Sequence, residues 1–256
     1  SGQQDWFALE LEGVLELLGS EHGGLTDEEA AGRLAQYGPN LLPRRRPPTL
    51  PEILLRQFRS PLIYLLGIAA AISLVIGEVK DAAFILGVLL INAIIGTVQE
   101  ARAERASQAL QQLLRIRTAV RRSQRVLDVD AESLVPGDVV YLESGNRVPA
   151  DIRLIAAHGL EVDESLLTGE SLPVAKNADW SGDPGTSLAD RLNMLHAGAM
   201  VARGRCHGVV VATGAKSAIG RLTLDVLGAE GGRPPLVERM EIFTRRIALA
   251  VLVAAA

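Results

Sequence analysis

Residues 162–174 read VDESLLTGESLPV, and they decide how the rest of the chain is interpreted. At their centre, Thr168, Gly169, Glu170 and Ser171 place one carboxylate between two hydroxyl groups, beside a glycine that can turn sharply. Such a group can hold and deprotonate a water molecule in front of a phosphorus atom. Taken alone, these four residues suit a Ser/Thr-rich surface turn equally well. The motif therefore predicts a loop, and the surrounding sequence is needed to decide whether that loop is catalytic.

The sequence on both sides of this loop is typical of short β-strands. Strand-like segments alternate with turn signals at residues 136–138, residues 145–146 and Gly159, which predicts a compact β-domain over residues 118–225. Within it, residues 178–190 are polar and predict a surface loop, whose Trp180 is either a packing residue or a loop anchor. The predicted strands are 126–129, 139–142, 151–155 and 208–211.

The first 46 residues predict an N-terminal cytoplasmic helical segment that packs with the β-domain. Apolar residues from Trp6 to Leu18 recur at helical spacing before Gly19, which suits a C-terminal cap. A second helix is predicted to begin at a capping box formed by Thr26 and Glu29. Residues 47–60 form a basic and amphipathic lead-in to the apolar part of the chain.

Residues 61–98 contain two uncharged runs, 61–77 and 82–98. Each run has about the shortest length that can cross a bilayer as a helix, so the sequence predicts a tight transmembrane hairpin. Arginines crowd its outer ends, which places both ends and the β-domain in the cytoplasm. The alternative is a buried helical hairpin of a soluble protein. Asn92 would lie at mid-membrane depth, where it is a candidate for an ion path, although an interhelical hydrogen bond is the favoured interpretation.

Three further segments complete the predicted organisation. Residues 99–117 continue the second membrane helix as a stalk, because charges and alanines recur at helical spacing without a helix breaker. Residues 226–241 predict a flexible linker. Residues 242–256 predict the start of a third membrane helix, and the chain is interpreted as a piece of a longer protein.

Composition narrows the function classes. Hydrophobic residues make up 48% of the 256 residues and the mean hydropathy is +0.22, which favours a membrane portion. The formal net charge of −4 argues against a nucleic-acid partner. The single cysteine, Cys206, excludes an internal disulfide and is interpreted as a small passive residue. The four histidines lack metal-ligand spacing, so no metal site is predicted.

Five motifs stand out along the chain: INAIIGTVQE at 91–100, LVPGDVV at 134–140, GNRVPAD at 145–151, DESLLTGES at 163–171 and VVVATG at 209–214. Together they resemble the N-terminal portion of type II P-type cation-transporting ATPases, the class that includes calcium pumps. The resemblance implies a multi-domain membrane protein fragment, with a transmembrane α-helical hairpin, a mainly β actuator domain that is distorted and jelly-roll-like, and an N-terminal helical segment. His196 and Ala199 depart from this pattern, where the family usually has an aromatic residue and a threonine.

The resemblance implies a role for each residue of the loop. In the family, ATP phosphorylates an aspartate of another domain, and the actuator loop then hydrolyses that aspartyl phosphate. Glu170 would orient and deprotonate the attacking water, Thr168 and Ser171 would position it, and Gly169 would permit close approach. We therefore expect the four residues to be the catalytic residues of this chain.

The resemblance also implies cofactors and partners for the complete pump. It would use ATP and Mg²⁺, although this chain, which lacks an Asp-Lys-Thr-Gly motif, is expected to bind neither alone. Expected partners are membrane lipid, the phosphorylation, nucleotide-binding and remaining membrane domains, and a cation, with calcium favoured over sodium, protons or magnesium. One alternative is a non-catalytic membrane-anchored regulatory or binding module with an actuator-like fold. Another is a soluble β-domain carrying a buried hairpin.

Overall fold

A computed structural model describes residues 4–43, 48–58, 61–113, 116–170 and 172–228. The chain divides into two compact units. The first comprises residues 1–44 and 115–230, and the second comprises residues 45–114 and 231–256. Ser171, most of the predicted linker and the predicted third membrane helix lie outside the described residues.

The first unit is built on one antiparallel sheet. Its seven strands follow the spatial order β2-β1-β3-β7-β4-β5, and β6 pairs with β4 beside this path. The strands are β1 (Arg117–Arg122), β2 (Arg125–Asp130), β3 (Val139–Glu143), β4 (Asp151–Asp163), β5 (Val174–Ala175), β6 (Met194–Leu195) and β7 (Met200–Ala212).

Strands β4 and β7, each 13 residues long, form the longest pair in the sheet. Their partners run from Asp151 opposite Ala212 to Asp163 opposite Met200, with register shifts along the way. The turn predicted at Gly159 is wrong, because β4 continues through it to Asp163. Gly159 has a φ of +57° and lies at one of the shifts, where a bulge bends the strand without ending it.

Apolar residues that alternate along the strands form the core between the sheet and its covering segments. The largest cluster combines side chains of β1, β3, β4 and β7, including Val140, Ile152, Leu154 and Val210. A second cluster packs Phe7 and Val14 of the N-terminal segment against the sheet. Trp180 joins this second cluster, while its backbone oxygen accepts a 2.7 Å hydrogen bond from the Asn193 amide, so it both packs and anchors its loop.

The N-terminal segment contains α1 (Leu11–Leu18) and α2 (Asp27–Tyr37). The predicted caps are confirmed: Gly19 is left-handed at the end of α1, and Thr26 and Glu29 form the capping box of α2. The segment also supports the β1–β2 turn, where Ser123 and Gln124 have φ values of +48° and +62°. Their amides donate to the backbone oxygens of Leu25 and Gly23. These bonds stabilise a left-handed turn that contains no glycine.

A buried carboxylate organises the turn before β3. Asp138 is completely buried and receives two hydrogen bonds from the Arg122 guanidinium, at 2.8 and 2.7 Å. Its Oδ2 also accepts from the Val135 amide at 2.9 Å. The hydrogen bond from Arg122 to Asp138 raises the pKa of Arg122. The contact between Arg122 and Asp138 ties β1 to the turn at residues 135–138.

We expect Asp138→Asn to lower the free energy of unfolding of the first unit by about 3 kcal/mol, because it leaves the partly buried Arg122 charge without its counterion. Trp6 and Trp180 are the only tryptophans and both belong to the first unit, so tryptophan fluorescence during urea unfolding measures this unit. Asp128→Asn is the matched control, since the Arg117–Asp128 pair is exposed. Equal losses for the two variants would contradict the prediction.

In its described residues, the second unit contains three helices: α3 (Leu50–Gln57), α4 (Pro61–Ile76) and α5 (Val79–Leu113). Helix α3 packs on α5, where Arg56 and Gln57 donate to the Glu100 carboxylate at 3.1 and 2.9 Å. Gly96 lies at this contact, because a Cβ there would come within 2.6 Å of Gln57 Oε1. Helix α5 continues without a break through most of the predicted stalk.

The apolar helices differ from the predicted pair of spans. Among the described residues, only residues 79–106 of α5 are long and apolar enough to cross a membrane, and the apolar part of α4 covers residues 63–76. Helix α4 covers residues 61–76 of the uncharged run 61–77 and ends before Gly77, whose φ is +93°. The Asn92 side chain is exposed and makes no hydrogen bond with the described residues. The interhelical hydrogen bond favoured for it is therefore not formed among them.

Helix α7 (Ala218–Gly228) closes the described part of the first unit after β7. Before it, the Ser217 side chain donates to the Gly214 backbone oxygen and accepts from the Gly220 amide. A Cβ at Gly220 would lie 2.0 Å from that same oxygen. Glycine at 220 is therefore required for this compact turn.

Cys206 should be unreactive in the folded chain. It is 6% exposed on β7, and burial raises the pKa of its thiol to about 12. At pH 8 roughly one thiol in ten thousand is then the reactive thiolate. We expect no labelling by a disulfide reagent in native buffer and one thiol labelled after urea unfolding. Rapid labelling of the native chain would contradict the buried position.

Candidate functional site

The predicted loop leaves the sheet at the end of β4 and returns at β5. Its first part is one helical turn, α6 (Ser165–Thr168). Asp163 Oδ1 accepts a 2.9 Å hydrogen bond from the Ser165 amide. Hydrogen bonds from Ser165 lower the pKa of Asp163, so this carboxylate is charged at neutral pH and holds the start of the turn.

Thr168 connects the helical turn to the predicted catalytic carboxylate. Its hydroxyl donates to the Glu164 backbone oxygen at 3.1 Å and accepts from the Glu170 amide at 3.2 Å. The hydroxyl thus orders the backbone on both sides of Gly169. We expected Thr168 to position a water molecule, and in this structure its hydroxyl positions the loop.

Gly169 provides the sharp turn. Its φ of +77° and ψ of 0° are left-handed, and its amide donates to the Ser165 backbone oxygen at 2.9 Å. A Cβ built on Gly169 would meet nothing within 4 Å. Among the described residues, the need for glycine therefore comes from backbone conformation, and the space above it is open.

Glu170 lies at the tip of the loop and is exposed. Its carboxylate makes no hydrogen bond or ion pair with any residue that the structure describes. Leu166 and Leu172 of the same loop are 66% and 80% exposed. The loop therefore presents an exposed carboxylate and exposed apolar side chains, which suits contact with a second surface.

The base of the loop contains an ion pair that sequence reasoning missed. Lys176 Nζ lies 2.8 Å from Glu164 Oε2, and the two side chains are 0% and 1% exposed. Lys176 also donates to the Arg191 backbone oxygen at 3.3 Å. The sequence does show opposite charges just after two strands. Helix and strand periodicity could not pair them, because they lie 12 residues apart.

A second buried carboxylate, Asp151, supports the start of β4. It accepts hydrogen bonds from the Ala197 amide at 2.9 Å and the Ala218 amide at 2.7 Å. The His196 ring is also buried, with Nδ1 3.8 Å from Asp151, and neither ring nitrogen has a hydrogen-bond partner among the described residues. Those residues contain no group of three side chains suited to a metal ion.

The antiparallel sheet and the ordered turn over residues 165–170 have the form expected of an actuator domain. A model of the P-type ATPase actuator domain matches residues 112–227, and one of the cation transporter/ATPase N-terminus matches residues 6–73. The chain belongs to the P-type cation-transporting ATPase family. This assignment supports the main interpretation over the non-catalytic module.

Similar curated proteins carry cation-transporting names. The chain is 42% identical over 239 residues to a probable cation-transporting ATPase F of Mycobacterium tuberculosis, covering 93% of this chain and 26% of that protein. It is 40% identical over 227 residues to calcium-transporting ATPase 1 of Bacillus cereus, with coverages of 87% and 26%. The chain therefore spans about a quarter of the length of these relatives.

Two glycine variants separate backbone strain from steric overlap. We expect Gly169→Ala to lower the free energy of unfolding by about 1–2 kcal/mol, since only its left-handed φ is unfavourable. Gly204→Ala should be more damaging, because φ is +85° and a Cβ would lie 2.3 Å from the Gly159 backbone oxygen. Urea unfolding followed by tryptophan fluorescence measures both. If both variants lost the same free energy of unfolding, the space above Gly169 would not be open.

Proposed function

We propose that this chain is the actuator and membrane-gate portion of an ATP-driven cation pump, and that its loop hydrolyses the aspartyl-phosphate intermediate. The observation that carries the proposal is the exposed, unpaired Glu170 carboxylate at the tip of a loop ordered by its own backbone. A general base must reach its water molecule without competing contacts, and this position allows it.

Glu170 would accept a proton as the water oxygen attacks phosphorus. The bond between phosphorus and the aspartate oxygen would break, releasing inorganic phosphate and a free aspartate carboxylate. Thr168 would hold the Glu170 backbone, Gly169 would keep the approach open, and Ser171 is proposed to position the water. Catalysis of this kind depends mainly on positioning and electrostatics.

The remaining partners are proposed for the complete pump. P-type ATPases are driven by ATP, and we assign ATP and Mg²⁺ to its other domains. The membrane hairpin would contact lipid, with its ends and the actuator domain in the cytoplasm. Only three residues separate α5 from β1, so movement of the actuator domain would be transmitted directly to the apolar helix.

Calcium is the proposed transported ion. Its support is the resemblance of residues 91–100 to the second membrane helix of calcium-pump-like proteins, together with the name of the Bacillus cereus relative. Sodium, protons and magnesium are the competitors. ATP hydrolysis by the complete pump in vesicles should be stimulated by micromolar calcium. Stimulation by one of the other cations in place of calcium would reassign the ion.

We expect Glu170→Gln in the complete pump to leave phosphoenzyme formation from ATP intact and to slow phosphoenzyme decay by at least about 100-fold, because the amide cannot accept the proton. The measurement is a chase of radiolabelled phosphoenzyme. Glu143→Gln, an exposed change on β3 of the same domain, is the control and should decay normally. Normal decay of Glu170→Gln would refute the assigned role.

A further inference from the structure

The buried ion pair joins the two ends of the catalytic loop. Glu164 is the first residue after β4, and Lys176 is the first residue after β5. Strand β5 contributes only two residues and two register partners on β4, so the ladder alone holds this end of the loop weakly. The contact between Lys176 and Glu164 closes the loop at its base.

A chain of hydrogen bonds leads from this pair to Glu170. The Glu164 backbone oxygen accepts from the Leu167 amide, the Thr168 amide and the Thr168 hydroxyl, at 2.8, 3.0 and 3.1 Å. The same hydroxyl accepts from the Glu170 amide. Glu164 is thus fixed by Lys176 through its side chain and fixes the catalytic segment through its backbone.

The energetics of a buried ion pair point to a geometric role. Two charges removed from water gain little net stability over apolar residues of similar volume, whereas loss of one partner leaves a buried charge uncompensated. Glu164 Oε1 is buried without a hydrogen-bond partner among the described residues, which adds to the cost. Burial lowers the pKa of Lys176, and the neighbouring Glu164 opposes this shift. The pair thus contributes little net stability, but each buried charge requires the other beside it, which fixes the distance between the two ends of the loop.

We propose that Glu164 and Lys176 are positioning residues for hydrolysis of the aspartyl phosphate, acting through the placement of Glu170. Neither is expected to touch the reacting atoms. The inference rests on the proposed function of Glu170. A displacement of about 1 Å at a reacting group can slow a reaction by about 100-fold, so a base that fixes the loop is sufficient to affect the rate.

A purely structural role makes a different prediction. If the pair only fastened β5 to the sheet, its loss would lower stability and reduce every step of the cycle together. A positioning role slows phosphoenzyme decay while phosphoenzyme formation, which takes place on another domain, continues. The ratio of the two rates therefore separates the roles.

The test uses the double variant Glu164→Leu/Lys176→Met in the complete pump. It removes both charges at similar volume, so folding should be retained. We expect normal phosphoenzyme formation from ATP and decay slowed between about 10-fold and 100-fold. Lys176→Arg, which keeps the charge, should recover part of the rate. If the double variant fails to fold, Glu164→Gln/Lys176→Gln, which also removes both charges but keeps polar side chains, is judged by the same criterion.

The matched control removes an exposed pair that links β4 to its neighbour β7. Arg203 and Glu161 lie 3.7 Å apart with side chains 77% and 42% exposed, and Glu161→Gln/Arg203→Gln should decay normally. Normal decay in the folded double variant, or equal slowing of formation and decay, would overturn the positioning role. Glu170→Gln measured in parallel separates the proposals, because its normal decay would refute the proposed function itself.

Discussion

The pairing of β4 with β7 is the constraint on which the rest of the actuator unit depends. These two strands form the longest pair in the sheet. At their bulges Gly204 lies so close to the Gly159 backbone that a larger residue at 204 would push the two strands apart. Asp151, at one end of β4, fixes the turns before β7 and α7. Asp163, at the other end, begins the loop that is proposed to be catalytic. One strand thus connects the packed part of the domain to the tip of that loop.

The loop combines a rigid base with a free tip. Local hydrogen bonds of Asp163 and Thr168 shape it, and the buried contact between Glu164 and Lys176 holds its ends together. Beyond Gly169, the Glu170 carboxylate makes no hydrogen bond or ion pair with the described residues, and Leu172 is exposed. A loop built in this way can enter a second domain without first breaking contacts within its own domain, so little interaction energy is lost at the encounter.

Part of the fold was predictable because its signals are local. The capping box at Thr26 and the left-handed Gly19 follow from the chemistry of helix ends, and the strands around Val140 and Val210 follow from alternation of apolar residues. The turn expected at Gly159 was wrong because a glycine in a strand also suits a bulge, and only the partner strand decides between them.

The sequence by itself determined the family, the order of segments and the identity of the loop, since these depend on neighbouring residues and on a motif of consecutive residues. Tertiary structure alone decided that Ser123 and Gln124 form a left-handed turn, because backbone atoms about 100 positions earlier in the chain accept their hydrogen bonds. It also decided that Glu164 meets Lys176 in the interior while Glu170 faces solvent. Burial is a property of packed surfaces, and no periodicity within a single loop distinguishes one glutamate from another.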